Sequence, residues 1–246
     1  MYQYEYIHYA ITADCVIFGF DGQQLKVLLV KRKEYPYQGL WALPGGFLRQ
    51  DETIEFCALR ELHEETGLAP DYIEQLQVFS ALNRDPRERV LTVAFWGLVP
   101  TAEVKGGTDA EEAQWIDLED IPTLAFDHNE IVDVALKRLR TKISTEPLAL
   151  CLLGDKFTMP QLQRVHELIL GKELDRRNFK KKMVTQGFVA PLEEVEHNSL
   201  RRPATLFTAA EGAINNLWSD KIESLFSPDE VKRLSIINEN KIKTQK

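Results

Sequence analysis

Cysteine is scarce in this chain of 246 residues: Cys15, Cys57 and Cys151 are odd in number, widely spaced and set among apolar neighbours. That excludes a disulfide framework and fits buried free thiols in a reducing, cytoplasmic compartment. Long apolar runs are also missing. No stretch approaches the roughly 18 residues that suggest a membrane span, so no membrane partner is expected. The opening MYQYEYIHYA has no basic segment ahead of an apolar run, which speaks against a secretory signal. A strongly basic balance is absent too, since the formal net charge is −8. The charge is uneven, however. Residues 1–144 carry 14 Lys/Arg against 24 Asp/Glu, and residues 145–246 carry 16 against 14. A hydrophobic content of 44% is normal for a globular protein, and the length allows one large domain or two modest ones.

The most informative stretch is Gly46-x5-Glu52-x7-Arg60-Glu61-Leu62-x-Glu64-Glu65-x-Gly67-Leu68, where x is any residue. Seven fixed and two apolar residues at these spacings match by chance on the order of 10⁻⁹ of the time. Thr53 is suited to N-cap a helix and Gly67 to end it in a left-handed conformation. Ala58, Leu59 and Leu62 recur at helical spacing and should face a core. Glu61, Glu64 and Glu65, at i, i+3 and i+4, share a different face. Like charges at that spacing cost roughly 0.2–0.5 kcal/mol per pair. Acids in a last turn also oppose the helix dipole. A helix built only for stability would avoid this pattern, and a divalent cation would turn repulsion into attraction. Taken alone, the three glutamates could be a solvated acidic face; the full spacing favours function. An all-oxygen ligand set suits Mg²⁺ or Mn²⁺ rather than zinc. Pro44-Gly45-Gly46 lets the backbone bend tightly and approach a metal or phosphate closely.

This stretch resembles the Nudix box, the signature of enzymes that cleave nucleoside diphosphates linked to another group. The resemblance implies an α/β/α sandwich with a mixed sheet. It implies Glu61 and Glu65 as the main metal ligands, with the Gly46 carbonyl as a further one. Glu64 would bind a metal or activate water, and Arg60 would orient a glutamate through a charge-assisted bond. Glu52 is either a ligand or an acid in the helix's first turn. A metal cluster would neutralise the diphosphate and lower the pKa of the attacking water. Positioning and charge stabilisation would do most of the rest.

The flanking sequence predicts the same layered fold. Strands are expected at residues 12–20 and 24–31 around the turn dipeptide Asp21-Gly22, at 73–82 and 89–98, and at 113–117. A helix over 129–141, capped by Asp127 or His128, should bury Ile131, Val132, Ala135 and Leu139. Three segments resemble the ADP-ribose pyrophosphatase-like branch of the family: Leu28–Arg32, Arg84–Arg87 and Leu124–His128. Arg32, Arg84 and Arg87 are candidates for substrate phosphates, or else surface arginines. Phe126 is a candidate to stack on a base, or a core residue. His128 is a candidate substrate contact, or a helix cap. Glu111 and Glu112, in an expected acidic loop, are candidates for an added metal ligand.

Residues 145–246 read differently. A helix over 158–170 has Thr158 as N-cap, Pro160 in its first turn, Gly171 at its end and an apolar stripe of Leu162, Val165 and Leu168. Asp175 can cap a second helix, 176–186, with Phe179 and Met183 inward and Arg176, Arg177, Lys180, Lys181 and Lys182 forming a basic face. Helix, short turn and basic helix make a helix-turn-helix pattern. Residues 187–190, a polar loop with Arg201-Arg202-Pro203 at its tip, and a strand over 204–208 would add a wing. The basic helix would read the major groove of double-stranded DNA, while Arg201 and Arg202 would meet phosphates or the minor groove. This half resembles the C-terminal domain of Nudix-related transcriptional regulators, to about residue 210. From Ala209 on, Ala213, Leu217, Ile222 and Leu225 suit amphipathic helices packing on the body or a second subunit.

The expectation is therefore a Nudix domain over residues 1–144 and a winged helix with a helical tail over 145–246, assembled as a homodimer. Two functions compete. One is a Mg²⁺-dependent pyrophosphohydrolase acting on ADP-ribose or a similar nucleotide-sugar. The other is a transcriptional regulator that senses such a ligand without turnover. The box is often degraded in such regulators; here it is undamaged, which favours catalysis.

Overall fold

The computed structural model describes residues 7–68, 70, 72–101, 104, 110–196, 204–214 and 230. A mixed seven-stranded sheet forms the first layer system. Its order is β3 (Trp41–Ala42), β2 (Leu25–Arg32), β1 (Ala10–Phe20), β6 (Val90–Pro100) and β5 (Tyr72–Phe79), with β4 (Gly45–Phe47) on β1 and β7 (Ala110–Asp117) on β2. The β1–β6 pair is parallel and the remaining pairs are antiparallel. The β1–β2 hairpin turns where Asp21-Gly22 foretold it. Gly22 has φ +94°, and Asp21 Oδ1 accepts from the Gln23 and Gln24 amides at 2.9 and 2.8 Å.

Alternation along β1 shows why a sheet needs helices on both sides. Ala13, Cys15 and Ile17 pack with Cys57, Ala58 and Leu62 of α1 (Ile54–Thr66). Val16, Phe18 and Phe20 point the other way, onto Ile131, Val132, Ala135 and Leu139 of α2 (His128–Lys142). Strands buried on both faces read as near-continuous apolar runs. Thr53 caps α1 by accepting from the Phe56 amide, and Gly67 closes it at φ +73°. Leu59, expected inward, is only half-buried; Phe56 and Cys57 take that side. Residues 111 and 112 lie in β7 rather than in a loop. Glu112 is exposed, and the Glu111 side chain lies outside the described residues.

After α2 a short 3-10 helix, Leu148–Leu152, is buried along its whole length and leads into a second three-stranded sheet. That sheet is ordered β8 (Phe157–Thr158), β10 (Ala204–Ala209), β9 (Val189–Glu196). Between β8 and β9 come α3 (Met159–Leu170) and α4 (Arg176–Thr185). Thr158 and Gln161 form a reciprocal capping box on α3, and Gly171 ends it at φ +65°. The turn between the helices is tied by Glu167, whose Oε1 accepts from the Leu174 amide at 2.9 Å and from Gln163 Nε2 at 2.8 Å. Asp175 caps α4 by accepting from the Asn178 amide at 2.8 Å. The inward stripe of α3 runs through Leu162, Val165, His166 and Ile169, with Leu168 half-buried. One apolar cluster runs from the sheet face under α2, through Leu148–Leu152, to Phe157, Val165, Phe179, Met183 and Phe207. Among the described residues no helix is long and apolar enough to cross a membrane.

Candidate active site and nucleic-acid interface

Pairing of β4 with β1 sets Gly45 opposite Asp14 and Gly46 opposite Ala13, against the middle and last turn of α1. A Cβ on Gly46 would lie 2.5 Å from the Glu61 carboxylate, so the carboxylate rests against bare backbone there. Glu65 Oε2 accepts from the Gly45 amide at 2.9 Å. Cys57 Sγ lies 3.8 Å from the Gly46 carbonyl oxygen. Glu61, Glu65, Gly45 and Gly46 line a cavity of about 470 Å³.

Arg60 organises the acids. Its side chain is 7% exposed and grips Glu52 through Nε and Nη2 at 2.8 and 2.7 Å, and Nη1 reaches Glu61 at 2.6 Å and Glu64 at 3.1 Å. Burial pushes the Glu52 carboxyl up, but the bonds from Arg60 and the Arg49 amide outweigh this and hold it below the usual carboxylate range. Burial dominates at Glu61 and raises it. Glu64 is the outward member: its side chain is 40% exposed, touches Arg49 Nη2 at 3.4 Å and is not part of the cavity wall. Glu52 thus sits as the anchor of Arg60. Among the described residues no three acids stand together as a ready metal-binding group. The chemistry still fits a hard divalent ion, because the Gly46 carbonyl, Glu61 and Glu65 offer only oxygen.

The same cavity holds the other candidates: Arg32, Arg84, Arg87, Phe126 and His128 all line it. Arg84 is buried and bound in a fork by Asp127 at 3.0 and 2.7 Å, with Asp14 at 3.5 Å. It braces the wall. Arg87 is paired with Asp85 at 3.1 and 2.8 Å and lies 5.4 Å from the Phe47 ring centre. Arg32 donates from Nε to the Pro36 carbonyl at 2.8 Å and stacks 4.9 Å from the Phe126 ring. Phe126 is half-buried at φ +56°, a left-handed conformation unusual for a bulky residue; it lines the cavity and also packs against the small apolar cluster of Val30, Ala42, Ala113 and Ala125. Buried His128 is the first residue of α2, not its cap. Its Nδ1 accepts from the Leu43 amide at 2.9 Å, and burial lowers its pKa, which keeps it neutral with the proton on Nε2. Asp14, 3.8 Å from that Nε2, is a site residue that sequence reasoning passed over; its signal was a charge inside an otherwise apolar strand.

The candidate nucleic-acid surface is the outer face of α4. Arg176, Arg177, Lys180 and Lys181 are all exposed, while Phe179 and Met183 are buried beneath them. Lys182 is exposed as well and donates to the Ser144 carbonyl at 2.9 Å. Register between β9 and β10 pairs Glu196 with Ala204, so residues 197–203 join the strands; Arg201 and Arg202 lie outside the described residues, as do Leu217, Ile222 and Leu225.

Residues 8–135 match the NUDIX domain model, and residues 149–209 match the NrtR DNA-binding winged helix domain. The chain belongs to the Nudix family, in the branch that carries the NrtR winged helix. An ADPR-responsive transcriptional repressor NtrR of Acinetobacter baylyi is 36% identical, over 81% of this chain and 82% of its own length. An ADP-ribose pyrophosphatase of Methanocaldococcus jannaschii is 44% identical over 52% of this chain and 73% of its own. The crystal structure of Shewanella oneidensis NrtR complexed with a 27mer DNA superposes with a TM-score of 0.73 at 33% identity, covering 83% of this chain and 95% of that one. The two Nudix-family matches together leave the residues beyond 209 of this chain unclaimed.

Proposed function

We propose that the chain binds ADP-ribose or a similar nucleotide-sugar in the cavity beside the box, hydrolyses it with Mg²⁺ or Mn²⁺, and binds double-stranded DNA through α4. The observation that carries this is one cavity lined both by Glu61, Glu65 and Gly46 of an undamaged box and by Arg32, Arg87 and Phe126. Arg32 and Arg87 would neutralise the two phosphates, and the Phe126 ring would offer a face to the base. Glu61, Glu65 and the Gly46 carbonyl would hold the ion, which when bound lowers the pKa of a water and shields the diphosphate. Glu64, steadied by Arg60, would take the proton from that water. Neutral His128 would donate from Nε2. On α4, Arg176, Arg177, Lys180 and Lys181 would meet phosphates and base edges, with Arg201 and Arg202 following on the wing. The cytoplasm suits the buried free thiols, and a homodimer suits paired half-sites.

A second reading is a regulator that senses the ligand without turnover. It is favoured by Glu64, which is bound by Arg60 and Arg49 and is not part of the cavity wall, and by similarity to a repressor over 81% of this chain. Incubation with Mg²⁺ and ADP-ribose decides between them. Cleavage that falls by roughly 10²–10⁴-fold in Glu64→Gln supports the hydrolase. Tight binding with no product moves the conclusion to the sensor.

A further inference from the structure

One side chain from beyond both family matches reaches the box. Glu230 is 3% exposed, and its Oε1 accepts from the Thr53 amide at 2.8 Å and from Thr53 Oγ1 at 3.0 Å. Thr53 is the N-cap of α1, and its Oγ1 in turn accepts from the Phe56 amide at 3.3 Å. The comparison with α3 gives the meaning. There, Gln161, three residues past the cap, reaches back to the cap's own amide. In α1 that third position is Phe56, which has no acceptor to offer. The missing half of the capping box comes instead from 177 residues away.

We infer that Glu230 is a positioning residue for the box, completing the cap of α1 from the C-terminal segment. Thr53 is covalently next to Glu52, and Glu52 receives the fork of Arg60 that also reaches Glu61 and Glu64. Fixing Thr53 therefore fixes the anchor of the whole acidic group. A carboxylate at the start of a helix also complements its dipole. Glu230 acts on the acids through Thr53, which it holds by two hydrogen bonds. The inference rests on reading those acids as the metal and diphosphate site.

The test compares Glu230→Ala and Glu230→Gln in the full chain, by amide hydrogen exchange and by the Mg²⁺ dependence of ADP-ribose cleavage. In Glu230→Ala, exchange at residues 53–56 should rise by about 10-fold relative to residues 131–139 of α2. The Mg²⁺ concentration for half-maximal cleavage should rise while KM for ADP-ribose holds. Glu230→Gln keeps the acceptor and should stay within about 2-fold of wild type on both readouts. Unchanged exchange in Glu230→Ala, or equal acceleration in both helices, overturns the inference. Absence of cleavage in the wild type would count against the hydrolase reading alone, because the exchange comparison still decides the role of Glu230.

Discussion

Arg60 is a buried cation among three carboxylates of unequal exposure: 1% for Glu52, 14% for Glu61 and 40% for Glu64. The inequality separates stability from chemistry. Arg60→Met would strand Glu52 as a buried charge, and urea unfolding should show a loss of about 3–5 kcal/mol. Glu64→Gln should change stability by no more than about 0.5 kcal/mol, because water already solvates that carboxylate. The Glu52 pKa lies below its ordinary 4.5. Its contribution is thus present above that value and is lost as the pH falls through the lowered one. At this scale the sequence showed the three box glutamates and Arg60, since their spacing is local. It left Glu52 ambiguous, because the fork to Arg60 depends on how the preceding loop folds. Asp14, Arg84 and Asp127 meet only through tertiary packing, so no local pattern announced the ion pairs between them.

The helices of the second half illustrate what local chemistry decides. The caps Thr158 and Asp175 and the terminator Gly171 all act as their residue types dictate. The two-residue strands β3 and β8 carry too little sequence for any alternation to register. Ile169 is fully inward and Leu168 half-buried because α3 packs on several neighbours and its buried face is wider than one stripe. His166 belongs to that face, edge-on to Phe179 at 4.9 Å, and burial pushes its pKa down to about 4 from 6.5. The unfolded chain therefore takes up a proton near pH 6.5 that the folded chain resists until about pH 4. Stability present above pH 6.5 should be lost across that window, on the order of 3 kcal/mol in all. Urea unfolding at pH 7.5 and 5 should show the slope, and His166→Gln should flatten it. For α4, Arg177→Ala with Lys181→Ala should weaken DNA binding and lower the magnitude of its log–log salt slope by about 2. Fluorescence anisotropy across a salt series would check this; unchanged affinity would remove both from the interface.

At the scale of the molecule, α2 joins the two candidate sites. Its first residue, His128, lines the cavity; Arg140 donates from Nε to the Ile169 carbonyl of α3 at 2.8 Å, and Ser144, just past its end, receives Lys182 of α4. Beside this bridge runs Leu148–Leu152, buried from end to end and continuous with the apolar residues of both sheets. Proteins with separable domains connect them through exposed polar linkers that few contacts cross. Here the connection is itself core, and heat should find no weaker half to take first. Scanning calorimetry should record a single endotherm whose calorimetric and van't Hoff enthalpies agree, with a ratio near about 1; two resolved peaks would contradict this. The same continuity bears on how the halves can be handled. A chain severed between residues 144 and 149 would expose a greasy seam on each fragment, so the two should be recovered from cells together or in aggregates.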